Sequence, residues 1–226
     1  MNSLHEKALF AAFFCLSPAL VGCPGAVNQD TQVPQRYVTP VSVCRQKLAP
    51  PGSPERAKVV VRDLDAEQWL GVLVPNYDGE KGIEPTSMDC TGHYVFANES
   101  LRGGATARDL PQRLDPDDVV VNSGPNGMRV VWLKALKFPN GDDGGPIALA
   151  RAYGDAAEVY GVGSFRGPPN STFSTARLGN ETIVIGETKE CNQDGEACRK
   201  RAHFLLPRRG RLIETTTIDT ERTAIV

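Results

Sequence analysis

From Arg129 to the C-terminus, apolar and polar residues alternate in short runs bounded by turn residues, the pattern of half-buried strands. Candidate strands cover 129–138, 146–153, 156–166, 172–178, 181–189, 199–206 and 211–218. Two gaps hold only Gly154-Asp155 and Gly179-Asn180, pairs suited to tight hairpins because glycine tolerates positive φ. Arg208-Arg209-Gly210 closes a third gap, and the segment between Cys191 and Cys198 a fourth. Connections this short join antiparallel neighbours, since a parallel crossover needs about a dozen residues or more. Upstream, Lys58–Leu64 and Gln68–Val74 read as strands, with His93–Ala97 and Val119–Asn122 as shorter candidates. Met128, Val131, Trp132 and Ala135 fit a helical face as well as Val131, Leu133 and Ala135 fit alternation. Gly124-Pro125-Asn126-Gly127 before them and Pro139-Asn140-Gly141 after them favour strand. A helix around Asp65–Leu70 is too short to carry weight by its pattern alone. The expected fold is therefore all-β: an antiparallel up-and-down meander forming a soluble barrel or sandwich. Lys134, Lys137, Arg151 and Glu158 interrupt the strands and aromatics are sparse, which argues against an outer-membrane barrel.

The first 57 residues read differently. His5, Glu6 and Lys7 precede a 15-residue apolar stretch from Ala8 to Gly22, too short for a spanning helix. It ends in Leu20-Val21-Gly22-Cys23, with small Gly22 before the cysteine; the other candidate, Cys15, follows bulky Phe14. This segment resembles the signal of the bacterial lipoprotein class. The resemblance implies that residues 1–22 are removed and that Cys23 carries a diacylglyceryl thioether, with membrane lipid as its partner. An ordinary secretory signal is the alternative. Residues 23–57, with six prolines and little apolar periodicity, read as an extended tether. The cluster from Pro50 to Pro54 marks the expected boundary, and 58–226 a single β-rich domain.

Charge and cysteine content narrow the classes. The net charge is −2 for the whole chain, and since residues 1–22 hold one acid and one base, also for the remainder. That balance argues against a dedicated nucleic-acid binder. Beyond Cys15 and Cys23 lie four cysteines, Cys44, Cys90, Cys191 and Cys198, an even number that suits an oxidising compartment. Of the three possible pairings, Cys191–Cys198 across a short loop and Cys44–Cys90 at the tether's end are favoured. A zinc site is disfavoured because the closest pair is spaced C-x₆-C.

Candidate chemistry is thin. His93 follows Cys90 in Asp-Cys-Thr-Gly-His, but a half-cystine is no nucleophile. His203, in an alternating hairpin strand, reads as surface. Three acidic turns invite calcium: Asn76, Asp78, Glu80 and Glu84; Asn140, Asp142 and Asp143; and Asn192, Asp194 and Glu196. None completes a calcium loop, and Asx-Gly turns use the same residues without metal, so no cofactor or metal is expected. The basic cluster Arg199, Lys200, Arg201, Arg208, Arg209 and Arg211 is the one charge anomaly. It is either a surface for an anionic or envelope-protein partner, or a hairpin face balanced by acids on adjacent strands.

These features lead to an expectation of a lipid-anchored protein of the bacterial cell envelope, facing the periplasm or the exterior, with a non-catalytic binding or scaffolding domain. Two alternatives stand beside it. One is a hydrolase using His93 with carboxylates such as Asp115, Asp117 or Asp118, and the other a small-ligand carrier in a β-barrel.

Overall fold

The structure, a computed structural model, describes residues 41–48, 63–78, 80–84, 86–95, 114–191 and 197–224. The signal segment, Cys23, the Pro50–Pro54 boundary, residues 58–62 of the first expected strand, Phe96 and Ala97, and the 192–196 loop lie outside the described residues. Ten strands and one α-helix are described: β1 (Cys44–Lys47), α1 (Ala66–Leu73), β2 (Val119–Ser123), β3 (Met128–Leu133), β4 (Leu136–Lys137), β5 (Asp143–Tyr153), β6 (Ala156–Gly167), β7 (Thr172–Leu178), β8 (Glu181–Cys191), β9 (Ala197–Arg208) and β10 (Arg211–Ala224). β1 lies inside the stretch assigned from sequence to the tether.

The chain is all-β, and its strands form a nearly closed, barrel-like sheet in the order β2-β3-β5-β6-β10-β9-β8-β7. Two antiparallel meanders, β2-β3-β5-β6 and β7-β8-β9-β10, meet where β6 and β10 touch in parallel at Val162 and Arg211. Only Pro168 to Ser171 separates β6 from β7, yet these strands do not pair: here the short link turns the chain from one meander to the other. The two ends of the path come near each other where β7 lies against β2, without ladder pairing between them. At that seam a side chain on Gly124 would come within 2.6 Å of the Thr175 hydroxyl.

Side-chain alternation on β3 and β5 explains the two cores. Val130, Trp132, Ile147 and Leu149 point into the barrel, where they meet Phe165, Phe173, Val184, Leu205 and Leu212. Trp132, Phe165 and Phe173 contact one another edge-to-face at centroid separations of 4.9–5.5 Å. Val131, Leu133, Ala148, Ala150 and Ala152 point the other way, onto Trp69, Leu70, Leu73 and Ile83. The same strands are thus buried on both faces, and the alanine run lets α1 approach closely.

One expected element is corrected. Gln68–Val74 is not a strand: Ala66–Leu73 form a helix. Its apolar run is too continuous to reveal a period, and the deciding signal is a capping box. The Asp65 carboxylate accepts the Gln68 amide at 2.7 Å and the Gln68 side chain accepts the Asp65 amide at 3.1 Å. A helix of this length depends on burial of Trp69, Leu70, Val72 and Leu73. The ambiguous 129–138 segment resolves as strands β3 and β4.

The two meanders touch through glycine. A side chain on Gly163 would collide with the Leu212 backbone carbonyl, whereas one on Gly161 would meet only the Leu212 side chain, at 3.3 Å. Gly163→Ala is therefore expected to cost about 1–3 kcal/mol and Gly161→Ala less, because a side chain can move and a ladder carbonyl cannot. Denaturant midpoints of the two variants check this; equal losses would disprove the distinction.

Candidate functional site

A polar network sits on the inner face of β8, β9 and β10. Register places Thr188 opposite Arg201, Gly186 and Thr217 opposite His203, and Asp219 opposite Arg201. Extra residues in β10 at Thr215 and Thr220 shift the ladder with β9. His203, expected at the surface, has a side chain only 12% exposed. Reading Ala202, Phe204 and Leu206 as the inward face reverses the strand. Leu205, fully buried between Val184 and Leu212, fixes the opposite parity and carries His203 inward with it.

There, His203 Nδ1 lies 2.8 Å from the Glu214 carboxylate and Nε2 lies 3.2 Å from the Thr188 hydroxyl. Thr217 adds a 2.9 Å hydrogen bond to Glu214, and the imidazole meets Phe165 edge-on at 5.3 Å. The hydrogen bond from His203 holds the Glu214 carboxyl below its ordinary range, against the opposing effect of burial. A hydroxyl, imidazole and carboxylate in sequence is the arrangement of a nucleophile relay. Thr188, however, is 3% exposed, so an incoming substrate has no approach to its oxygen. The network couples three strands of the sheet. Sequence reasoning missed it because Thr188, His203 and Glu214 meet only through strand register.

The basic cluster is largely spent on carboxylates. Arg199 binds Asp219 through two hydrogen bonds of 2.5 and 2.6 Å, and Lys200 pairs with Glu221. Arg201 reaches Glu190 at 3.0 Å, Arg208 grips Glu181 at 2.5 Å, and Arg211 meets buried Asp89 at 3.1 Å. Arg209 stands apart: it is exposed, at positive φ, in the turn between β9 and β10. Among the described residues, Glu190 of the adjacent strand β8 pairs with a cation of this face, as does Glu181. Glu214 takes His203 instead, and Asp194 and Glu196 lie outside the described residues.

The remaining candidates occupy separate places. His93 is exposed, its Nδ1 2.9 Å from the Thr91 hydroxyl, which in turn contacts Asp89 at 2.5 Å. Asp89 also accepts the Thr91 amide at 2.8 Å and the Arg211 guanidinium, which makes it a turn organiser. Asp115 lines a depression of about 210 Å³ with Glu67, Leu70, Tyr77, Leu114 and Val119, and His93 is not part of its wall. Asp118 is turned to the Asp115 amide at 3.1 Å. The proposed His93–carboxylate grouping is therefore not assembled in this cleft. A second depression, about 330 Å³, borders Cys44, Arg45, Val72, Cys90 and Val159.

The two acidic turns among the described residues engage the chain's own donors. Asp78 accepts the amides of Glu80 and Lys81, which lower its carboxyl pKa. Arg166 binds Asp142 at 3.1 Å and Asn140 at 3.2 Å, and Lys137 lies 3.1 Å from fully buried Asp143. Among the described residues no three His, Cys, Asp or Glu side chains converge as a metal site. No described helix is long and apolar enough to cross a membrane.

At the barrel's other end Glu158 accepts the hydroxyls of Tyr153 at 2.9 Å and Tyr160 at 3.0 Å. Burial, then the bond to Glu158, raises the Tyr160 pKa far above its ordinary value; for Tyr153 the bond to Glu158 leads. Disulfides join Cys44 to Cys90 and Cys191 to Cys198, the latter clamping the tip of the β8–β9 hairpin. No family model, curated protein or solved structure matches the chain.

Because its folded-state pKa is depressed, Glu214 contributes stability that is present above the unfolded value of about 4.3 and is lost as pH falls through the folded value. Glu214→Gln removes that ionisation. Acid titration of unfolding free energy should fall less steeply below about pH 4 in the variant than in the parent; identical slopes would mean that the pairing contributes nothing.

Proposed function

We propose that this chain is a lipid-anchored protein of the bacterial cell envelope, held by acyl groups on Cys23 and bearing a non-catalytic binding or scaffolding domain. The observation that carries this reading is Leu20-Val21-Gly22-Cys23 at the end of a 15-residue apolar run. Two disulfides support it, since such bonds persist on the oxidising side of a membrane. The position of the first supports it further. Cys44, at the start of β1, is bonded to Cys90, so the strand that follows the tether is covalently tied to the domain. The binding role is supported by where the polar side chains are spent: the His203 relay is closed over Thr188, and the cations of β9 face carboxylates of β8 and β10.

Expression of the full chain in a bacterium, followed by mass spectrometry of the processed N-terminus, tests the anchor. The expected result is cleavage before Cys23, a diacylglyceryl adduct on its sulfur, and recovery in the membrane fraction. Cys23→Ser should lose the adduct and leave that fraction, because stable anchoring needs more than one acyl chain. Cleavage elsewhere, or an unmodified Cys23 thiol in the processed protein, would overturn the proposal.

A further inference from the structure

We propose that the surface where the chain enters β1 docks onto anionic phospholipid headgroups of the membrane that holds the anchor, an inference that rests on the lipid-anchor reading. Arg45 and Lys47 alternate along β1 and so lie on one side of it, and Val43 leads into the strand with its amide bonded to the Val159 carbonyl. Val43 rests on Gly210, which places the Arg209–Gly210 turn beside this row. The apolar members are open to solvent: Val41 is 81% exposed and Val43 39%. The cations are open as well. The Arg45 side chain is 60% exposed, and Lys47 and Arg209 are exposed with no ion-pair partner among the described residues.

Charge complementarity selects the occupant. Glu158 faces Arg45 from β6 at 3.8 Å, but it is 15% exposed and its oxygens hold the two tyrosine hydroxyls. Asp155, whose carbonyl accepts the Leu48 amide, is the exposed acid beside this row. Arg208 and Arg211 nearby are engaged by Glu181 and Asp89. Three exposed cations thus lie along or beside a row that begins with two exposed valines, with Asp155 the exposed carboxylate beside them among the described residues, a surface suited to phosphate groups above an apolar layer. Chain length makes the contact attainable. The eighteen residue steps from Cys23 to Val41 span at most about 60 Å, and such a tether raises the local concentration of the surface, so a weak patch is enough.

The test uses the chain from residue 23 onward carrying Cys23→Ser, hence unacylated, sedimented with phosphatidylcholine vesicles containing or lacking phosphatidylglycerol. Binding is expected only with phosphatidylglycerol and should weaken as salt rises. Replacing Arg45, Lys47 and Arg209 together by glutamine should lower the partition coefficient by about fivefold per residue, on the order of a hundredfold in all. Val41→Ser with Val43→Ser should lower it as well. An unchanged triple variant, no binding by the parent chain, equal binding to both vesicles, or binding to lipopolysaccharide micelles alone would each overturn the proposal. Salt dependence and vesicle selectivity of the parent chain stand even if the triple variant does not fold. Acylation is read at Cys23 and docking on unacylated protein, so either can fail without the other.

Discussion

The close approach of β6 to β10 is the constraint on which the rest of the structure depends. Gly161 and Gly163 leave no side chain between the strands, so Leu212 can lie directly over them. That contact converts two separate meanders into one continuous path and sets Phe165 opposite Phe173, Val184 and Leu205. Once the meanders are joined, β3, β5 and β6 have an inner face committed to the aromatic core. Their outer face is still apolar and must be covered, and α1 with the segment around Ile83 covers it. The disulfide from Cys44 to Cys90 joins β1, on the β6 edge, to that covering layer.

Polar groups follow from the same geometry. Where the β8–β9–β10 sheet extends past the aromatic core, its inner face can no longer be filled by Leu205 and Val184, and side chains there turn polar. His203, Thr188 and Glu214 come first, touching Phe165, and Arg201 with Asp219 follows nearer the hairpin tip. Each half-buried charge is met by an opposite charge or a hydroxyl, as a low-dielectric surrounding demands. The exposed pairs farther out contribute little individually, because water and salt screen them. They do hold Arg199, Lys200, Arg201 and Arg208 against the sheet's own strands, and this separates Arg209 from the rest of the basic cluster.

Strands from Arg129 onward were legible because alternation and turn chemistry agreed: Gly154 and Gly179 both adopt positive φ where tight hairpins were expected. Residues 66–73 were not, because Trp-Leu-Gly-Val-Leu is apolar at every position except glycine and hides its period. His203 was misplaced for a related reason. Both faces of β9 carry apolar residues, Leu205 on one and Ala202, Phe204 and Leu206 on the other, so alternation gives no sign of which face turns inward. Register decides it, and the extra residues Thr215 and Thr220 alter register in a way composition does not announce. The Thr188–His203–Glu214 contact joins residues 11 and 15 apart in sequence and has no motif.

On the proposed lipid-anchor reading, a domain held by its N-terminus would meet pulling forces at β1 before anywhere else in the described sheet. β1 is short, and a four-residue edge strand held by ladder hydrogen bonds alone would peel from β6 under a modest load. Cys44 is the N-terminal residue of β1, so force applied from that side would pass through the bond to Cys90 before it reached Arg45, Gln46 and Lys47. The bridge spans 46 positions of sequence, a separation for which chain-entropy reasoning gives about 4 kcal/mol of stabilisation. Placed at Cys90, it hands the load to the turn held by Asp89 and Arg211, and through Arg211 to the junction of β6 with β10. Tension on the proposed tether would thereby be delivered to the contact that organises the fold, and β1, presenting Arg45 and Lys47, would keep its register under load.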